Sequence, residues 1–127
     1  MRLLILLTTL LIQHIFVYSQ YSDPAKKWAD SIFSTLSLEE KIAQLMIVRA
    51  HSNLGQKHVD EVTELIRKYN IGGLCFFQGG PVRQANLTNY YQSIAKTPLM
   101  ITIDAEWGLG MRLDSVLPLP QIGRAHV

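Results

Sequence analysis

The chain has one cysteine in 127 residues, Cys75. A single thiol forms no internal disulfide, and no paired-cysteine framework or Cys/His zinc cluster can be read from the sequence. Cys75 lies in the apolar run Leu74-Cys75-Phe76-Phe77 and reads as a small buried hydrophobe. An excess of one charge is also missing. The formal net charge is +2 and no Lys/Arg face is clustered, which excludes the electrostatic footprint of a nucleic-acid partner. Gly-x-Gly-x-x-Gly does not follow the first apolar strand, and Gly108-x-Gly110 is too short a signal for a dinucleotide site. There is no repeat at a solenoid period and no low-complexity linker. The length allows one small domain but not a complete large barrel.

The chain opens on an export signal. Arg2 supplies a positive start, Leu3 to Val17 are mostly apolar, and Val17-Tyr18-Ser19 offers small residues for cleavage. Residues 1–19 therefore read as a signal peptide cut after Ser19. The apolar run falls short of the roughly 20 residues that cross a bilayer, so an uncleaved anchor is the weaker alternative. The mature chain is expected to be exported, periplasmic or extracellular, with no membrane association after cleavage. At the other end, residues 121–127 show neither a strand nor a helix period and resemble a translated sequencing adapter. A non-native tail is expected there, leaving residues 20–120 as the domain.

Within 20–120, helices and apolar strands alternate. Ser22-Asp23-Pro24 caps and opens a first helix, with Trp28, Ala29, Ile32, Phe33 and Leu36 at helical spacing. Ser37 and Glu40, three apart, make a capping box for a short helix through about Leu45. Met46-Ile47-Val48 reads as a buried strand. A longer helix is predicted from about Gln56 to Tyr69, with Val59, Val62, Leu65, Ile66 and Tyr69 inward, and Asn70 ends it. Ile71 to Phe77 reads as a second strand. Gly79-Gly80-Pro81 breaks it and opens a helix that carries Ala85, Tyr91, Ile94 and Ala95 inward. Leu99 to Ile103 is a third strand, ended by Asp104. Continuous apolar strands separated by amphipathic helices predict parallel strands covered by helices. Three such units with open sheet edges suggest part of a larger fold.

The strongest signal is Ile101-Thr102-Ile103-Asp104-Ala105-Glu106-Trp107-Gly108-Leu109-Gly110-Met111-Arg112-Leu113. It places an acid at a strand end, where βα-barrels carry their chemistry. The segment resembles the family 3 glycoside hydrolase pattern, a strand ending in Asp-x-Glu-Gly-Gly and leading to an Arg. Asp104 and Glu106 match the acids, Gly108 the second glycine and Arg112 the arginine. Trp107 stands for the first glycine and Leu109 for an arginine that often follows. Leu36 to Leu45 resembles the family's entry helix, and Ile71-Gly72-Gly73-Leu74 its second-strand signature. The likeness covers residue 27 to Pro120 and is nearest the β-N-acetylglucosaminidase branch.

That resemblance implies an α/β fold: the N-terminal portion of a TIM-type (β/α)8 barrel, about three βα units, incomplete. It implies that Asp104 hydrogen-bonds sugar hydroxyls, an ionised carboxylate being a strong double acceptor. Substrate-binding roles extend to Arg112, Glu106 and Trp107. Glu106 and Arg112 are expected to pair and hold the loop, and Trp107 either packs beneath it or stacks on a sugar. Asp114 reads as a solvated loop acid. Arg49 and His51 follow the first strand and share its C-terminal end. His51 alone among the histidines has a site-like position, and His58 reads as exposed. Asn86-Leu87-Thr88 matches a glycosylation acceptor but falls within a helix.

Retaining glycoside hydrolysis needs a carboxylate nucleophile and a separate proton donor. The family supplies the nucleophile from a later strand, and its acetylglucosaminidase branch supplies a His donor beyond a Lys-His-Phe-x-Gly-His-Gly-like segment. Neither motif occurs here, so no catalytic residue is expected within the chain. Asp104 and Glu106, two apart, do not flank one sugar ring. The expected partner is a carbohydrate, an amino-sugar glycoside or cell-wall fragment, with no metal or organic cofactor. The chain alone is expected to be inactive and poorly folded. A non-catalytic carbohydrate-binding or scaffold module is the alternative, and a flavodoxin-like domain is a weaker third.

Overall fold

The computed structural model describes residues 23–118. The signal peptide expected at 1–19 and the tail expected at 121–127 lie outside the described residues, as does the Ser22 cap. The chain divides into two compact units, Met1–Leu36 and Ser37–Val127. The first contributes helix α1, Asp23–Thr35. Ser31, Ser34 and Thr35 donate their hydroxyls to carbonyls three residues back, and Lys26 pairs with Asp30 at 2.7 Å. The apolar spacing predicted this helix, although its Trp28 and Phe33 are exposed.

The second unit opens on helix α2, Leu38–Ala43, with the expected capping box. Glu40 N–H donates to Ser37 Oγ at 3.2 Å, and Ser37 N–H donates to Glu40 Oε2 at 2.9 Å. The helix stops two residues short of Leu45. Tight turns from Leu45 N–H to Ile42 O and from Met46 N–H to Ala43 O replace its last bonds, leaving the Met46 carbonyl to accept from Gly72 and Gly73. Strand β1 is therefore Ile47–Ala50. Helix α3 runs Gln56–Tyr69, as predicted, and Asn70 ends it at φ 55°, the left-handed cap that Asn tolerates. Strand β2 is Gly73–Phe76, helix α4 is Pro81–Ile94 with Pro81 in its first turn, and strand β3 is Met100–Ile103. A 3₁₀ turn, Leu109–Met111, follows.

The three strands form one parallel sheet in the order β1-β2-β3, with Ile47 beside Gly73 and Gly73 beside Met100. Each described strand lies next to its predecessor, as successive strands of a βα-barrel do. One face of the sheet packs on α3 and α4. Ala50, Leu74 and Phe76 are buried there with Val62, Ile66 and Tyr91, and Val48, Ile101 and Ile103 pack against them. Each fully buried side chain of this size contributes about 1.5–3 kcal/mol. The other face carries Ile47, Arg49, Gly73, Cys75, Met100 and Thr102. Ile47 and Met100 are exposed, and Cys75 is only half-buried because it lies on this second face.

Two helix faces differ from the expectation. In α3, Thr63 is buried and Tyr69 is exposed, because Thr63 Oγ1 meets Tyr90 OH of α4 at 3.3 Å, where the two helices pack. In α4, Ala85 is exposed and Leu87 packs on the core instead, beside Ile94 and Ala95.

The N-terminal end of the sheet is tied by buried polar groups. Asn70 Nδ2 donates to Thr97 Oγ1 at 3.0 Å, and Thr97 N–H returns to Asn70 Oδ1 at 3.2 Å. Gln44 Nε2 donates to the Asn70 carbonyl at 2.6 Å. Gly72 lies so close that a Cβ there would collide with the Gln44 backbone. This contact is the physical reason for glycine in the Ile71-Gly72-Gly73 signature.

Candidate functional site

The parallel ladder continues one residue past each strand. Phe77 N–H donates to the Ala50 carbonyl at 2.9 Å, and Asp104 N–H to the Phe76 carbonyl at 3.3 Å. Strand alternation then brings His51, Phe77 and Asp104 onto the same face as Arg49, Cys75 and Thr102. These three side chains make a row at the C-terminal edge of the sheet, the edge where βα-barrels place their sites.

The loop after β3 folds back onto this row. Gly108, at φ 93°, donates to the Ala105 carbonyl at 2.9 Å, and the 3₁₀ turn brings Arg112 to the strand end. Arg112 Nε donates to the Asp104 carbonyl at 2.6 Å, and Nη2 pairs with Asp104 Oδ2. The guanidinium carbon lies 4.8 Å from the Phe77 ring centroid. Arg112 thus pairs with Asp104 and not with Glu106, contrary to the sequence expectation. Glu106 sits on the outside of the turn and is exposed, and Trp107 is 65% exposed instead of packed beneath the loop. The Arg112 side chain is 17% exposed and that of Asp104 35%. Asp104 Oδ1 takes no hydrogen bond from the described residues, so one charged acceptor stays open beside a fixed cation.

The strand-end loops are laced together. Gly80 N–H donates to Ser52 Oγ at 3.0 Å, and Ser52 N–H to the Gln78 carbonyl at 3.1 Å. Gly79, at φ 155°, approaches Ser52 so closely that any side chain would strike its hydroxyl. Asp114 N–H donates to the Gly79 carbonyl at 2.7 Å, and the Asp114 carboxylate pairs with Arg83 at 2.5 Å. Arg83 Nε also donates to the Ser52 carbonyl at 3.1 Å. Asp114, read from sequence as a solvated loop acid, is exposed and joins the first turn of α4 to the loop after β3. Ser52, Phe77 and Arg83 were not singled out from sequence. Only the Gly79-Gly80-Pro81 break hinted that the chain comes close to another segment there.

His51 follows β1 at its C-terminal end as expected, whereas His58 departs from its expected exposure. His58 is largely buried, with a side chain 14% exposed, and its Nε2 accepts the His51 N–H at 3.1 Å. His51 stacks on Phe77. Burial, then the nearby Arg49, His58 and Arg112, push its imidazole below the ordinary histidine range. Among the described residues, no three His, Cys, Asp or Glu side chains converge as metal ligands.

The family model for the glycosyl hydrolase family 3 N terminal domain matches residues 37–123. The chain belongs to glycoside hydrolase family 3. Its fold is similar to the solved structure "Beta-glucoside phosphorylase BglX bound to 2FGlc", at 18% identity and a TM-score of 0.56 over 69% of this chain. At that identity the likeness speaks for the fold alone. The family 3 chain spans 17% of that structure's length. No curated protein matches the sequence.

Proposed function

We propose that this family 3 chain supplies the sugar-orienting strand end of an exported, periplasmic or extracellular glycoside hydrolase that cleaves β-linked N-acetylglucosamine with retention. One observation carries the reading. At the C-terminal edge of a parallel sheet, Asp104 is fixed by Arg112 through both its carbonyl and one carboxylate oxygen, and its other oxygen accepts no hydrogen bond among the described residues. A fixed carboxylate accepts hydrogen bonds from vicinal hydroxyls without first being ordered, so the entropy of alignment is met by the protein fold. Exposed Trp107, on the same loop, offers an aromatic face to a sugar ring. Glu106 extends the rim with a second acceptor. The nucleophile and the proton donor come from later strands of the longer protein.

The N-acetylglucosamine preference is supported by the likeness of residues 101–113 to that branch of the family. The solved neighbour is a β-glucoside phosphorylase, so the test compares both sugars. The longer protein containing this chain is assayed on chromogenic β-N-acetylglucosaminide and β-glucoside, with and without inorganic phosphate. Turnover of the N-acetylglucosaminide independent of phosphate is expected. Preference for the glucoside, or a phosphate requirement, overturns the substrate or reaction assignment. Sugar binding without any turnover replaces the enzyme by a carbohydrate-binding module.

A further inference from the structure

One member of the strand-end row makes no contact that the sugar reading requires. The His51 ring lies nearly flat against Phe77, centroids 5.8 Å apart at 26°. The same Phe77 ring carries the Arg112 guanidinium, and Arg112 holds Asp104. His51 is fixed from the other side by α3. Its backbone N–H donates to His58 Nε2, and the two rings meet edge to face at 5.5 Å and 75°. A nitrogen that accepts bears no proton, so the His58 proton sits on Nδ1, 3.8 Å from Glu61 Oε2.

Both ring nitrogens of His51 are shielded and lack a hydrogen-bond partner among the described residues. A phenyl ring would stack on Phe77 without leaving those polar atoms unmet. What a histidine adds is a charge that appears only in acid. The groups around it oppose that charge: Arg49 on β1, His58 on α3 and Arg112 on the loop after β3. Glu61 lies beyond His58, and Asp104 is already engaged by Arg112.

We propose that His51 is a positioning residue for the sugar site: neutral, it seats Phe77 under the Arg112–Asp104 pair, and protonated, it repels Arg112 and loosens that pair. The proton comes from solvent onto one ring nitrogen as the stack opens, and no bond is made or broken. The inference rests on Asp104 being the sugar ligand and adds an acid limit to that site.

The test uses the longer enzyme with wild-type sequence, His51→Phe, His51→Gln and His51→Ala. In the wild type, KM for the chromogenic N-acetylglucosaminide should rise about fivefold or more between about pH 7.5 and 5.5, the lower end of typical coupling between linked sites, with a smaller change in kcat. His51→Phe should keep the wild-type KM at the upper pH and lose the acid rise. His51→Gln, which cannot titrate either, serves if the Phe variant fails to fold. His51→Ala should raise KM at every pH. An acid rise that persists unchanged in a folded Phe or Gln variant overturns the proposal. A second readout does not depend on turnover: the Arg112 Nε–H resonance followed against pH. It should move with the His51 titration in the wild type and stay still in His51→Phe. If no β-glycoside is turned over, the sugar reading fails by itself, and an Arg112 resonance indifferent to pH overturns the positioning role separately.

Discussion

Asp104 and Tyr91 are the two side chains whose polar atoms say most about what each is for. Asp104 offers an open carboxylate oxygen at the site edge, held by Arg112. If it orients sugar hydroxyls, Asp104→Ala in the longer enzyme should lose about a hundredfold or more in kcat/KM, the cost of one or more charge-assisted bonds to substrate. His51→Ala, acting one step removed, should lose far less. Equal losses in a side-by-side assay would mean that the loop is misassigned. Tyr91 is the opposite case. Its ring is fully buried and its hydroxyl has no hydrogen-bond partner among the described residues, with burial pushing the phenol up to about 12. An unmet buried hydroxyl costs roughly 1–3 kcal/mol. Tyr91→Phe should therefore leave the protein as stable or more stable, read from the denaturant midpoint. A loss of more than about 1 kcal/mol would show that the hydroxyl has a partner.

At the scale of elements, the two ends of the sheet do different work. The N-terminal end is a set of satisfied buried bonds among Asn70, Thr97 and Gln44, and changes there should cost stability and spare activity. Asn70→Ala removes both side-chain hydrogen bonds to Thr97 and puts a β-carbon residue without side-chain bonds at φ 55°. It should destabilise by about 2–4 kcal/mol in urea unfolding while leaving KM within error. A KM change as large as the stability change would contradict the division. The helices and strands themselves were legible in the sequence, because apolar period, the Ser37–Glu40 box, Asn70 and Pro81 are local signals. The parallel order was legible from strands apolar on both sides of each helix. What escaped was set by tertiary approach. The Arg112–Asp104 pairing depends on how the Gly108 turn returns the chain, and the resemblance pointed to Glu106 instead. The burial of Thr63 and His58 depends on what packs across from them, and neither has an apolar pattern to reveal it. Ser52 and Arg83 are joined from segments 31 residues apart, a distance no window on the sequence spans.

For the molecule as a whole, acid should act in two steps. His51 is held neutral in the folded state by burial and by Arg49, His58 and Arg112. The unfolded chain takes up that proton first, so stability present above about pH 6.5 falls as pH drops toward the folded value. Glu40 is held below its ordinary range by its bond to Lys96 and by the Ser37 N–H, and its contribution is lost as pH falls from the ordinary carboxylate value through the lowered one. His51→Phe should flatten the first step of a midpoint-against-pH curve and leave the second. A first step unaltered by that change would assign it to another group. The same row of His51, Phe77, Arg112 and Asp104 joins stability to the proposed sugar site, and the site itself is tested most directly by a crystal structure of the longer protein with N-acetylglucosamine. The account predicts the Asp104 carboxylate within hydrogen-bond distance of two ring hydroxyls, with Arg112 still bound to its other side. A sugar seated elsewhere, with Asp104 touching only Arg112, would contradict it.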